Sequence, residues 1–147
     1  MEYHLTIYGY DSGLNEVLNG VHYDYKTKKI ANPTKKKNDQ LCMDYLRFKA
    51  PSLRGKEIKL PIVIHYKFYC KDKRRDRMNI ASAFDKSFED ALQKVGMIPN
   101  DGYNDIYGIT SDFMIDKDNP RVEIIIQEWD KSKGEPQFWG GWRERNL

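Results

Sequence analysis

Residues 60–95 read LPIVIHYKFYCKDKRRDRMNIASAFDKSFEDALQKV, and two different periods meet within them. Leu60, Ile62, Ile64, Tyr66 and Phe68 occupy alternate positions, with Lys59, Val63, His65, Lys67 and Tyr69 on the other face. That is the period of a strand. Pro61 marks a strand start or an edge, because it has no N–H to donate to a ladder. From residue 79 the spacing lengthens, and Ile80, Phe84, Phe88, Ala91, Leu92 and Val95 form one helical stripe. Gly96 stands where a helix stop favours a residue of positive φ. A strand, a cationic connection and an amphipathic helix are therefore the expected centre of the fold.

Working outward, residues 3–9, YHLTIYG, set Leu5 and Ile7 against His4, Thr6 and Tyr8, which predicts a half-buried strand. Residues 11–20, DSGLNEVLNG, are rich in turn formers and predict irregular or briefly helical chain. Residues 33 to about 48 predict a helix that Thr34 can cap, with Leu41, Cys42, Tyr45 and Leu46 at helical spacing, ended by the chain from Pro51 to Gly55. Residues 97–105, MIPNDGYND, predict a turn region around Pro99 and Gly102. Strands over 106–115 and 121–129 flank DKDNP as an expected hairpin. The order strand, helix, strand, helix, hairpin predicts an α+β fold: a small mixed β-sheet with two helices packed on it. Residues 1–130 form the single domain. Residues 131–147 form a polar tail that carries Phe138, Trp139 and Trp142.

A chain of 147 residues can bury a core without disulfides or a structural metal. Charged residues make up 32% of it and aromatics 13%, a globular rather than disordered composition. The net charge of +3 is small, but its distribution is uneven. Lys71, Lys73, Arg74, Arg75 and Arg77, set against Asp72 and Asp76, give 5 − 2 = +3, the net charge of the whole chain. A second block of Lys26, Lys28, Lys29, Lys35, Lys36 and Lys37 contains no acid. Two separated cationic clusters on a near-balanced chain suit a polyanionic partner. Cys42 and Cys70 are too sparse for a zinc ribbon or redox pair, and His4, His22 and His65 lack metal-ligand spacing. No apolar run is long enough for a membrane span, so a soluble cytoplasmic protein is expected.

On the helix from residue 79, Asn79, Lys86 and Asp90 lie within about 20° of one line, away from the Phe84 and Phe88 stripe. Lys86 and Asp90 at i, i+4 also make an ordinary surface pair, so they carry little alone. Asp76 precedes this helix and Asp101 follows Gly96. A helix returning along the sheet would bring both acids toward one rim. Carboxylates beside a lysine and a cationic loop suit phosphodiester hydrolysis: oxygen ligands hold Mg²⁺, the metal generates hydroxide, and the lysine offsets developing charge.

The run RRDRMN, then Lys86, then DAL, then GMIPNDG, resembles the signature of the RusA-type Holliday-junction resolvases. GYDSGLNE resembles the family's early Leu-Asn element, and DKDNPRVEIIIQEW its closing strand in phage-borne members. The resemblance runs from about Leu5 to Trp129. It implies a RusA-like, homodimeric, Mg²⁺-dependent endonuclease, with Mn²⁺ as a substitute, that binds four-way DNA junctions and nicks two opposed strands in recombination and repair. It implies catalytic roles for Asp76, Lys86 and Asp101, metal ligation by Asp76 and Asp101, and supporting roles for Asn79, Asp90 and Asn100.

One position departs from the pattern. Met78 stands where the family has the second Asp of Asp-x-Asp-Asn, and a thioether is a poor Mg²⁺ ligand. Asp72, Asp85 and Asp105 are the candidates to replace the missing carboxylate. Alternatively the chain cleaves weakly, binds branched DNA without cutting it, or cuts other branched DNA. For Lys71, Lys73, Arg74, Arg75 and Arg77, a solvated loop and a DNA-backbone contact both fit, and the resemblance favours DNA. Lys35, Lys36 and Lys37 sit at a helix start, where cations are unfavourable, which points to use on phosphates. Phe68, beside the basic run, is either a strand residue or a wedge between bases.

Overall fold

The computed structural model describes residues 2–8, 22–24, 29–31, 33–50, 53, 55–58, 61–73, 76–102, 104–129 and 132. The expectations for residues 11–20, Arg74, Arg75 and the aromatic tail lie outside them.

Four strands, β1 (Glu2–Tyr8), β4 (Ile62–Cys70), β5 (Ile106–Ile115) and β6 (Arg121–Glu128), form one mixed sheet in the order β1-β6-β4-β5. β4 pairs antiparallel with β6 and parallel with β5, and β1 pairs antiparallel with β6. Two further strands, β2 (His22–Asp24) and β3 (Lys29–Ala31), pair separately as an antiparallel ribbon that the sequence reading did not anticipate. α1 (Pro33–Asp44), which continues as a π-helical turn over Tyr45–Lys49, and α2 (Arg77–Lys94) pack on the sheet. This is the expected small α+β fold. Among the described residues no helix is long and apolar enough to cross a membrane.

β4 is central because it is apolar on both faces. Ile62, Ile64, Tyr66 and Phe68 are buried against the helices, and Val63 and His65 on the opposite face are buried too. Pro61 thus marks the strand start, not an edge, and its carbonyl accepts from Trp129 N–H at 2.9 Å. Tyr66, Phe68, Phe84 and Phe88 stack or meet edge-on at 5.5 to 6.2 Å between ring centroids, tying α2 to β4. Phe68 is fully buried and stacks on Phe113 of β5 at 5.2 Å. The proposed base wedge is therefore corrected: a side chain enclosed on every side by the core reaches no DNA.

The hairpin expectation is also corrected. β5 and β6 are not neighbours, because β4 lies between them. The turn residues instead carry the chain past the end of β4, where Asp116 N–H donates to Cys70 O at 2.8 Å. Arg121 anchors the crossing: it donates to Asp116 and Glu123, both at 2.8 Å, and lies over the Tyr69 ring at 3.7 Å.

α2 starts and stops on local signals. Asp76 is its N-cap, with Oδ1 accepting from Asn79 N–H at 3.1 Å. At the other end Gly96 has φ +79°, its N–H donates to Gln93 O at 3.0 Å, and Met97 N–H donates to Leu92 O at 2.9 Å. Those two bonds are a Schellman stop. α1 begins at Pro33, so Thr34 lies inside it and is not the cap. It ends near β1, where Tyr45 Oη accepts from Thr6 N–H at 2.9 Å.

Candidate functional site

Because β4 and β5 are parallel, the helix that joins them must run back along the sheet. Asp76 therefore stands at the C-terminal end of β4, and Asp101 lies near the N-terminal ends of β4 and β5. The second placement follows from two contacts: Ile62 N–H donates to Asp105 O at 3.0 Å, and the charge of Asp101 acts on Glu89 near the end of α2. Thirteen residues of helix between Asp76 and Glu89 amount to about 20 Å. A single chain does not bring Asp76 and Asp101 to one rim. The crossover geometry forbids it, and the expectation that they meet within one chain is corrected.

At the Asp76 end lies a cavity of about 400 Å³. Asp72, Lys73, Asp76 and Arg77 line its polar side, and Cys70, Ile80, Phe113, Met114 and Ile115 its apolar side. Of the three acids offered in place of a carboxylate at residue 78, only Asp72 shares this cavity with Asp76. Met78 is 70% exposed on the first turn of α2. Lys71, Lys73 and Arg77 are exposed around the cavity, which gathers the described part of the basic run at a helix N-terminus.

At the other end is an acidic group built on Tyr66. The buried Tyr66 hydroxyl donates to Asp85 Oδ1 at 2.6 Å. Glu89, one turn on, shares a hydrogen bond with Asp85. Burial, that hydrogen bond, and then the charges of Asp85, Asp101 and Asp90 push the Glu89 carboxyl up to about 9. Glu89 is thus protonated at neutral pH and is the donor to Asp85. The sequence reading did not single it out, since an i, i+4 acid pair on a helix looks like an ordinary exposed surface; only the Tyr66 hydroxyl beneath it reveals the buried arrangement. Asp101 and Asn100 are exposed in the turn, with Asp101 N–H donating to Asn100 Oδ1 at 2.9 Å.

The remaining predicted residues are dispersed. Lys86 is exposed mid-helix, about 15 Å along the axis from Asp76. Asn79 is half-buried and gives its backbone N–H to the cap. Asp90 turns toward α1, where its Oδ2 lies 3.8 Å from Lys35 Nζ, and Lys35 also pairs with Asp39 at 2.7 Å. Lys35 thus serves the seam between the two helices, while Lys36 and Lys37 are exposed on the first turns of α1. The two cationic groups consequently stand at opposite ends of α2. Among the described residues no group of three or more His, Cys, Asp and Glu is close enough to hold a metal ion.

No family model matches the chain, and a search of the curated proteins finds no match either.

Proposed function

We propose that the chain is a RusA-like, divalent-metal-dependent endonuclease of branched DNA, acting on four-way junctions as a homodimer. The observation that carries this reading is the cavity at the start of α2, where Asp72 and Asp76 face one space alongside Lys73 and Arg77. Mg²⁺ is commonly held by one or two carboxylates and completes its shell with water and substrate phosphates. The Asp72 and Asp76 pair fits that demand, with Asp72 standing in for the carboxylate absent at Met78. When bound, the metal would polarise the scissile phosphate and supply hydroxide. Lys73 and Arg77 would hold the flanking backbone by charge-assisted hydrogen bonds, and Asp101 would complete the site from a second chain.

The test is incubation of the protein with a synthetic four-way junction and Mg²⁺. Paired nicks in opposed strands are expected from the wild type. Asp76→Asn keeps the helix cap, because asparagine caps as well as aspartate does, yet it should abolish cutting while junction binding persists. Cutting at the wild-type rate by that variant would remove Asp76 from the site. The distance between Asp76 and Asp101 within one chain, together with Met78, favours a second reading, a branched-DNA-binding protein that does not cut. Retention of the junction without nicks would decide for it.

A further inference from the structure

We infer that the apolar half of the cavity at the start of α2 receives one unpaired base of the bound strand, stacked on Phe113, while the phosphate beside that base lies on the polar half. This deepens the nuclease reading and rests on it, since it names an unpaired nucleotide as what the site takes.

The cavity is divided by chemistry. Its apolar wall comes from the ends of two strands and the first turn of a helix: Cys70 of β4, Phe113 and Ile115 of β5, and Ile80 of α2. Its polar wall, Asp72, Lys73, Asp76 and Arg77, comes from the connection between β4 and α2 and from the first residue of α2. The two acids and two cations cancel, so this wall attracts a phosphate only when a divalent ion adds its charge to the carboxylates. A ligand that fills both halves must carry an anionic group beside a compact apolar one. A nucleotide is built that way, whereas a free phosphate leaves the apolar wall against water.

The ring arrangement selects a base as the apolar part. Phe113 lies nearly parallel to Phe68, at 14° and 5.2 Å between centroids, and Phe68 stacks in turn on Tyr66 at 5.5 Å. Tyr66 and Phe68 are enclosed by the core, but Phe113 is only partly buried and lines the cavity. It is the last ring of the row. A base laid on it extends the row by one member, a contact open to every base because each has a π-face. Phe68, closed off in the core, serves as the backing of Phe113. A volume of about 400 Å³ is near the lower end of ligand-sized cavities, with room for one nucleotide and not for a paired duplex. The base must therefore leave its stack, which costs least where it is unpaired already.

Photo-cross-linking tests the pocket directly. A four-way junction carrying 5-iododeoxyuridine at the branch-point nucleotides is irradiated with the protein in Mg²⁺, and the attached peptide is identified by mass spectrometry. Attachment within residues 113–115 or at Cys70 is expected, both from the junction and from a single strand of the same sequence, and not from the linear duplex. Attachment confined to other parts of the chain, or an equal yield from the linear duplex, would overturn the pocket.

Affinity gives a second test. Phe113→Leu keeps an apolar side chain against Phe68 but offers no ring, and should weaken binding of a single-stranded oligothymidine about tenfold, whereas Phe113→Tyr should bind as the wild type does. Should Phe113→Leu fail to fold, Ile115→Glu decides, because Ile115 is 49% exposed and its loss costs the core little. The added carboxylate should weaken the same binding by at least as much. Unchanged affinity in either folded variant counts against the pocket.

The two readings fail separately. Paired nicks without attachment in the cavity would leave the nuclease and remove the pocket. Attachment there without nicks would leave the pocket and remove the cutting, and a chain that binds no DNA would remove both.

Discussion

Glu89→Gln offers the sharpest check on the acidic group beneath α2. Glu89 holds its proton up to about 9, against a usual 4.5, because it is half-buried and hydrogen-bonded to Asp85, which already accepts from Tyr66 at 2.6 Å. Between those two values the folded chain keeps a proton that the unfolded chain releases. The stabilising contribution is complete below about pH 4.5 and is lost progressively as the pH rises toward 9. At full strength the difference integrates to about 6 kcal/mol. Because part of the carboxyl meets solvent, about a third of that, roughly 2 kcal/mol, is expected to survive screening. Glutamine keeps a donor for Asp85 but does not titrate. The variant should therefore match the wild type near pH 4.5 and exceed it by about 2 kcal/mol at pH 9, a gap of roughly 4–8 °C in Tm for a chain of this size. Urea unfolding followed by circular dichroism at several pH values, read as the difference between the two proteins, isolates this one group from every other that titrates. Parallel pH profiles for the two chains would refute the protonated Glu89 and its bond to Asp85.

Two further outcomes concern the fold. Phe68→Ala should cost about 3–5 kcal/mol, because the removed ring touches Tyr66, Phe84 and Phe113 in a closed core; a loss below about 1 kcal/mol in urea unfolding would mean that Phe68 is accessible after all. Gly96→Ala should cost about 1 kcal/mol through backbone strain alone, since φ is +79° and no atom lies within 4 Å of the added methyl. Thermal melts would show an unchanged Tm if the Schellman stop were wrong.

The candidate site was legible in residue types and much less so in positions. Asp76 was legible only as an acid just before a helical stripe; its capping bond to Asn79 N–H, although decided within one turn of chain, and its place in the cavity wall came with the structure. The choice among Asp72, Asp85 and Asp105 was not decidable from spacing. Asp85 belongs to Tyr66, nineteen residues earlier, and that bond exists only once α2 lies on β4. Lys35 looked available for phosphate until α1 met α2 and Asp90 came within 3.8 Å of it.

Local periodicity alone determined the identity of β1, β4, β5, β6, α1 and α2, the buried stripe of α2, and its stop at Gly96, because each depends on side chains within a few residues of one another. Only the tertiary structure decided which strands are neighbours. β4 inserts between β5 and β6 because it is apolar on both faces and can stand in the middle of a sheet, and no turn signal records that preference. Its parallel pairing with β5 makes α2 run the full length of the sheet, and so sets Asp76 and Asp101 at opposite ends of one chain.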